Sequence, residues 1–272
     1  MLPKLTRRTL ASLPSAIAAG FFVSEAKAKS MDDVLKQGVL RIGIHPNSPP
    51  FSGRAASGDY EGFDITIGSK LAEELKVKAE WVPTETAQRV PFLVADTIDI
   101  SLGGLTRNSE RAKLIEYSVP LHTEVMGVLT TDKVNVAKWQ DLNDPKYTLV
   151  DVRSAWTIDW AKQNLPNAKL QIVDSSADAV RAIAQGRASA LVEMLDFFTA
   201  FTKNHSDTKW KIMDDKIDVG WDCIGVGKGN YGLRGVINIA LFKLHSSGFV
   251  NEAWQKAFGS EMLMKVPAQP YF

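Results

Sequence analysis

The chain has 272 residues, with 32 Lys and Arg against 31 Asp and Glu, a net charge of +1, and 45% hydrophobic residues. That balance excludes the basic footprint of a nucleic-acid binder, and the length suits one large domain or two smaller ones. The single cysteine, Cys223, excludes an internal disulfide; it sits in the apolar run DCIGVG, where a buried, inert thiol is expected.

Residues 1–28 read as an export signal. Lys4, Arg7 and Arg8 form a basic start, an apolar run follows over 10–23, and Ala26-Lys27-Ala28 is an A-x-A cleavage site, so the mature protein would begin at Lys29. The run is shorter than the roughly 20 apolar residues of a membrane span. The paired arginines of TRRTLAS fit a twin-arginine signal, and ordinary Sec export fits as well. No cysteine precedes the cut to carry a lipid anchor.

Strand and helix patterns then alternate. Residues 39–44 form an apolar strand, and Phe63, Ile67, Leu71 and Leu75, four apart, predict an amphipathic helix over 62–76 with Asp64 helping to cap its start. A strand over 78–82, a helix over 87–95 and a strand over 98–102 follow, and 125–131 is again a strand. The cycle restarts with strands at 147–152, 170–173 and 190–192, helices at 157–164 and 177–185, and Gly186 at a helix C-cap. Strand 223–226 and helices 233–246 and 249–258 close the chain, with Trp254 and Phe258 expected in the core. Two successive α/β units joined by an extended segment predict two lobes.

The segment IDISLGGLTRNSERAKLIEYS at 98–118 carries the chemistry. A buried strand ends in Gly103 and Gly104, which lack a Cβ and let a ligand approach the backbone. Thr106 adds a hydroxyl, and Arg111, on a short helix, offers a planar fork of donors suited to a carboxylate. Two readings fit the spacing: a holder for a small carboxylic acid, or a strand-to-helix turn with a solvated arginine. Gly227, Gly229 and Gly232 match G-x-G-x-x-G, but two helices follow instead of a completed βαβ unit, which argues against a dinucleotide site. His45, His122, His205 and His245 are scattered, with no metal-binding spacing, and neither a G-x-S-x-G elbow nor a phosphate loop is present. No catalytic residue, metal or cofactor is expected.

The same segment resembles the signature of family 3 of the periplasmic solute-binding proteins, which serve polar amino-acid ABC importers. The matching places are Gly103-Gly104, Thr106, Glu110-Arg111 and Tyr117-Ser118. Further matches follow the family's order: GVLRIGIHPNSPPF at 38–51, EGFD at 61–64, TAQRVPFL at 86–93 and GRASAL at 186–191. The resemblance implies the type II periplasmic-binding-protein fold, two α/β lobes joined by a two-strand hinge. Lobe one would be 29–128 and 222–272, with 223–226 as the second hinge strand, and lobe two would be 129–221. It also implies a periplasmic monomer that captures an amino acid or related carboxylate between the lobes and passes it to ABC permease subunits.

By the same resemblance Gly103, Gly104, Thr106 and Arg111 would hold the ligand's α-carboxylate. Phe51 and Thr157 would complete the walls of the cleft. Ser48 stands where many members carry an aromatic residue, as in some glutamate/aspartate-type members, and His45 stands where such members can carry an arginine. Thr86 and Arg89 resemble those members' T/S-x-x-R segment. The family's G-T/S-T loop falls near Ser154-Ala155-Trp156, so an indole replaces a small hydroxyl. The aspartate that pairs with the ligand's ammonium falls on Met194, with Glu193 and Asp196 beside it, and on a strand end Glu193 would point to the opposite face. A cationic wall without that aspartate favours an acidic or polar amino acid, or a carboxylate without a free α-amine. Exported cyclohexadienyl dehydratases resemble the family too; their lobe-two glutamate falls on Ile158, one residue before Asp159. An extracellular sensor domain would need a signalling segment that the sequence does not suggest.

Overall fold

The computed structural model describes residues 30–202, 205–213 and 217–268. The expected export signal and cleavage site lie outside the described residues.

Ser30 caps α1 (Met31–Gln37), and Gly38 closes it in the left-handed conformation before β1 (Val39–Ile44). A small antiparallel hairpin, β2 (Gly53–Arg54) and β3 (Tyr60–Glu61), leads into α2 (Phe63–Leu75). The four-residue spacing of α2 buries Phe63, Ile67, Leu71 and Leu75 on the sheet. Asp64 does not cap this helix, as the sequence suggested. The N-cap is Gly62, with no side-chain bond, and Asp64 is turned inward and buried.

After β4 (Lys78–Pro83) come α3 (Arg89–Val94), β5 (Ile100–Ser101) and α4 (Ser109–Ala112). The next element is longer than its pattern suggested. A short strand over 125–131 was expected, but β6 (Ile115–Thr131) runs unbroken for 17 residues. β7 (Thr148–Val152), α5 (Thr157–Asn164), β8 (Lys169–Val173), α6 (Ser176–Ala184) and β9 (Ala190–Met194) form the second α/β run. α7 (Leu195–Thr202), β10 (Trp210–Met213), β11 (Val219–Gly227), α8 (Tyr231–Ser246) and α9 (Phe249–Phe258) complete the described chain. Gly227 and Gly229 fall at the turn from β11 into α8, and α9 follows directly, so no βαβ unit surrounds the glycine motif.

Hydrogen bonding explains why β6 is continuous. Its first part pairs antiparallel with β11 as far as Val125 opposite Val219, and from Met126 it pairs with β9. On one side the strand order is β4-β1-β5-β11-β6, and on the other β6-β9-β7-β8, with β10 also on β6. One strand therefore belongs to two sheets, and β11 accompanies it to the join.

The core spans both sheets. Under the first, Phe51, Phe63, His122, Trp254 and Phe258 pack as one aromatic cluster, with Trp254 and Phe258 stacked at 3.9 Å between centroids. Each large apolar side chain buried there contributes about 1.5–3 kcal/mol. Cys223 is buried, and burial pushes its thiol up to about 12, so it is inert at neutral pH. Among the described residues no helix is long and apolar enough to cross a membrane, and no cluster of acids, histidines and cysteine could hold a metal ion.

Candidate functional site

The backbone turn that ends β5 builds one wall of a cavity between the two sheets. Gly103 and Gly104 have φ of +85° and +67°, a region that favours glycine. The turn aims both of their carbonyls at Arg89, whose Nη1 donates to each, while its Nε donates to Thr86 O at 3.3 Å. Arg89 is buried; burial lowers it to about 10, with Arg111 adding to the shift and Asp222 opposing it, so it stays charged at neutral pH.

Arg111 is placed by a cap. Asn108 Oδ1 accepts from Arg111 N at 2.8 Å and fixes the start of α4. The guanidinium then donates to Thr106 O and to Ser154 O, each at 2.8 Å. Ser154 belongs to the loop after β7, so this side chain ties the first wall to the second. A second tie runs through Glu124 on β6, whose Oε2 accepts from Thr106 Oγ1 at 2.9 Å and from Trp156 Nε1 at 3.1 Å.

These groups enclose a cavity of about 70 Å3. It brings together His45, Ser48, Phe51, Thr86, Arg89, Gly103, Gly104, Thr106 and Arg111 on one side, with Trp156, Thr157 and Glu193 opposite. Two expected residues are not in its lining. Ser154 meets the site only through its carbonyl, its backbone turned by a φ of +65°. Met194 is buried in the core beneath the second sheet. The cause is strand alternation: the face expected for Met194 belongs to Glu193, whose Oε1 accepts from Met194 N at 2.9 Å.

The electrostatics also differ from the cationic wall that the sequence suggested. Burial and the nearby Arg89 push His45 down to about 4, so it is neutral; its Nε2 lies 3.0 Å from Glu85 and its Nδ1 accepts from Asn47 N. Glu124, which the sequence reading passed over, lines the cavity together with Val152, Ala155, Ser176 and Phe197. Burial, then the charge of Asp222, pushes Glu124 up to about 8, and burial with Glu124 nearby pushes Glu193 up to about 7. The wall thus combines two guanidiniums with two carboxyl groups, an arrangement that can complement a molecule carrying both charges.

A family model for bacterial extracellular solute-binding proteins, family 3, matches residues 40–260. The chain is 27% identical over 236 residues to an L-arginine-binding protein of Pseudomonas aeruginosa, covering 82% of this chain and 89% of that protein. It is 24% identical over 193 residues to the cyclohexadienyl dehydratase of the same organism, covering 70% and 72%. Among solved structures, an ancestral amino-acid-binding protein described as a precursor of cyclohexadienyl dehydratase superposes with a TM-score of 0.78 at 28% identity. That match covers 84% of this chain and 99% of the other.

Proposed function

Since the chain belongs to the bacterial extracellular solute-binding proteins of family 3 and has their type II periplasmic-binding-protein fold, we propose that it captures a small polar amino acid in the inter-lobe cavity and delivers it to an ABC permease. The observation that carries this reading is the wall itself: Arg111 and the Gly104–Thr106 turn face Glu193 across a cavity that Glu124 closes at the strand join. An α-carboxylate suits the first group and an ammonium suits the carboxyls. The cavity volume of about 70 Å3 is far below the roughly 300 Å3 lower end for drug-sized ligands, which favours a short side chain. The change of partner in β6 after Val125 supports a boundary near 128, with lobe one over 29–128 and 222–272 and lobe two over 129–221. Residues 1–28 would direct export, and the mature chain would act in the periplasm as a monomer.

The dehydratase reading is the weaker one. Asp159, the acid nearest the place of the enzyme's glutamate, has a side chain 88% exposed and lies 3.9 Å from Lys162, outside the cavity lining. A thermal-shift screen of L-amino acids and small carboxylates, prephenate included, tests the proposal. A ligand that binds only the folded state stabilises it by about 2.7 kcal/mol at a hundredfold excess over Kd, so a small polar amino acid should raise Tm by several degrees. Prephenate should yield no phenylpyruvate. Absence of any shift, or turnover of prephenate, would remove the transport reading.

A further inference from the structure

We propose that Glu124, carried by the strand common to both sheets, accepts the ligand's ammonium group and gives up a proton when that group arrives. This deepens the amino-acid reading and rests on it. Position is the first argument. Glu124 stands two residues before β6 changes partner from β11 to β9, and its Oε2 takes one donor from each wall, Thr106 and Trp156. Its Oε1 lies beside the glycine turn: a Cβ built on Gly104 would sit 3.4 Å from it. In an α-amino acid the ammonium is two bonds from the carboxyl carbon, so a carboxylate held at Arg111 and the Gly104–Thr106 turn needs its counter-charge close by. Glu124 is placed there, whereas Glu193 stands on the far wall and its Oε1 is held by Met194 N.

The surroundings explain the proton. Asp222, on β11 opposite His122, is a diagonal neighbour of Glu124, and the same Cβ on Gly104 would lie 3.9 Å from its Oδ2. His122 Nε2 is 3.3 Å from that oxygen, but burial pushes the imidazole down to about 4, so it brings no charge at neutral pH. Arg89 and Arg111 are the cations facing the pair, and Glu193 is a third carboxyl. Asp64 lies behind the turn beside Gly103, pushed by burial up to about 8. Two buried carboxyls side by side favour sharing one proton. Burial raises both, but Arg89 and Arg111 hold Asp222 nearer its carboxylate form, so the shared proton rests on Glu124. An ammonium reverses the balance, because a cation in contact favours the carboxylate. Between the lowered pKa of this carboxyl in the complex and about 8, the bound protein then holds one proton fewer than the free protein, and across that window affinity climbs about tenfold per pH unit. Ligands lacking the amine have no reason to expel the proton.

The test is calorimetry of the mature protein with L-serine, L-glutamine and L-glutamate and with their 2-hydroxy-acid counterparts. Titrations at about pH 6.5 and 7.5, in buffers of different ionisation enthalpy, count the protons released. The amino acids should release about one proton and bind about tenfold more tightly at the higher pH, while the hydroxy acids should do neither. Glu124→Gln should abolish the rise and narrow the gap between each amino acid and its hydroxy acid. Should that variant fold poorly, Glu193→Gln decides, since proton release and the pH rise should both persist in it. Amino-acid binding without proton release, a rise that survives in Glu124→Gln, or one that vanishes in Glu193→Gln would overturn the assignment. Failure of every probe to bind would instead overturn the amino-acid reading, and this inference with it.

Discussion

Replacing Arg111 by alanine should weaken amino-acid binding at least tenfold. Its guanidinium has five N–H donors, and the bonds to Thr106 O and Ser154 O use two of them, leaving others for a carboxylate in the cavity. Truncating one partner of a desolvated, charge-assisted pair costs about 2–5 kcal/mol, part of it the penalty of leaving a carboxylate unmatched. The Ser154 bond adds to this, because its loss also loosens the tie between the walls. Arg111→Lys should recover only part of the affinity: it restores the charge but not the fork that reaches carbonyls and carboxylate together. Calorimetry on folded variants, with unfolding checked separately, reads the effect. Unchanged affinity in the alanine variant would take Arg111 out of the site.

Asp99→Ala should cost about 3 kcal/mol of folding stability. Asp99 is buried before β5, and its carboxylate accepts from Arg41 N at 2.7 Å, from Arg41 Nε at 3.2 Å and from Arg41 Nη2 at 2.6 Å. Arg41 in turn donates to Asp96 O and to Asp96 Oδ1, fastening β1 to the turn that precedes the glycine pair. Removing the carboxylate leaves the guanidinium with Asp96 alone as its acidic partner and takes the acceptor from the Arg41 backbone N–H. The double variant Arg41→Met/Asp99→Leu should lose less than the single one, since the guanidinium goes with its buried partner and the charge left without it, Asp96, is partly exposed. Urea unfolding of the three proteins decides it; a single-variant loss below about 1 kcal/mol would mean that the pair is dispensable.

Much of this architecture was legible in the sequence because its signals are local. The four-residue spacing of Phe63, Ile67, Leu71 and Leu75 reports one buried helix face, and the glycine pair with Thr106 and Arg111 reports one turn. What the sequence hid depends on partners far along the chain. The continuity of β6 follows from its having β11 on one part and β9 on the other, which no window around residue 120 contains. The second-wall register was off by one face, and in a strand that exchanges a core residue for a cavity residue, Met194 for Glu193. His45 looked cationic only without its burial. Glu124 did leave a trace, an acid inside the apolar strand HTEVMGVL, where charged residues are rarely buried without a purpose. Asp64 left a misleading one, since its place near a helix start fits a cap as readily as a buried acid beside Arg89.

The central claim, that this cavity selects a small amino acid carrying both charges, is tested most directly by competition. The protein, alone or with L-arginine at the concentration of the titrant, is titrated in a calorimeter with L-serine, L-glutamine and L-glutamate. The account predicts one-to-one binding of at least one of the three, with an affinity that arginine at equal concentration leaves almost unchanged, because a long cationic side chain meets Arg89 and exceeds the space. Arginine binding more tightly than all three, or no binding by any of them, would contradict it.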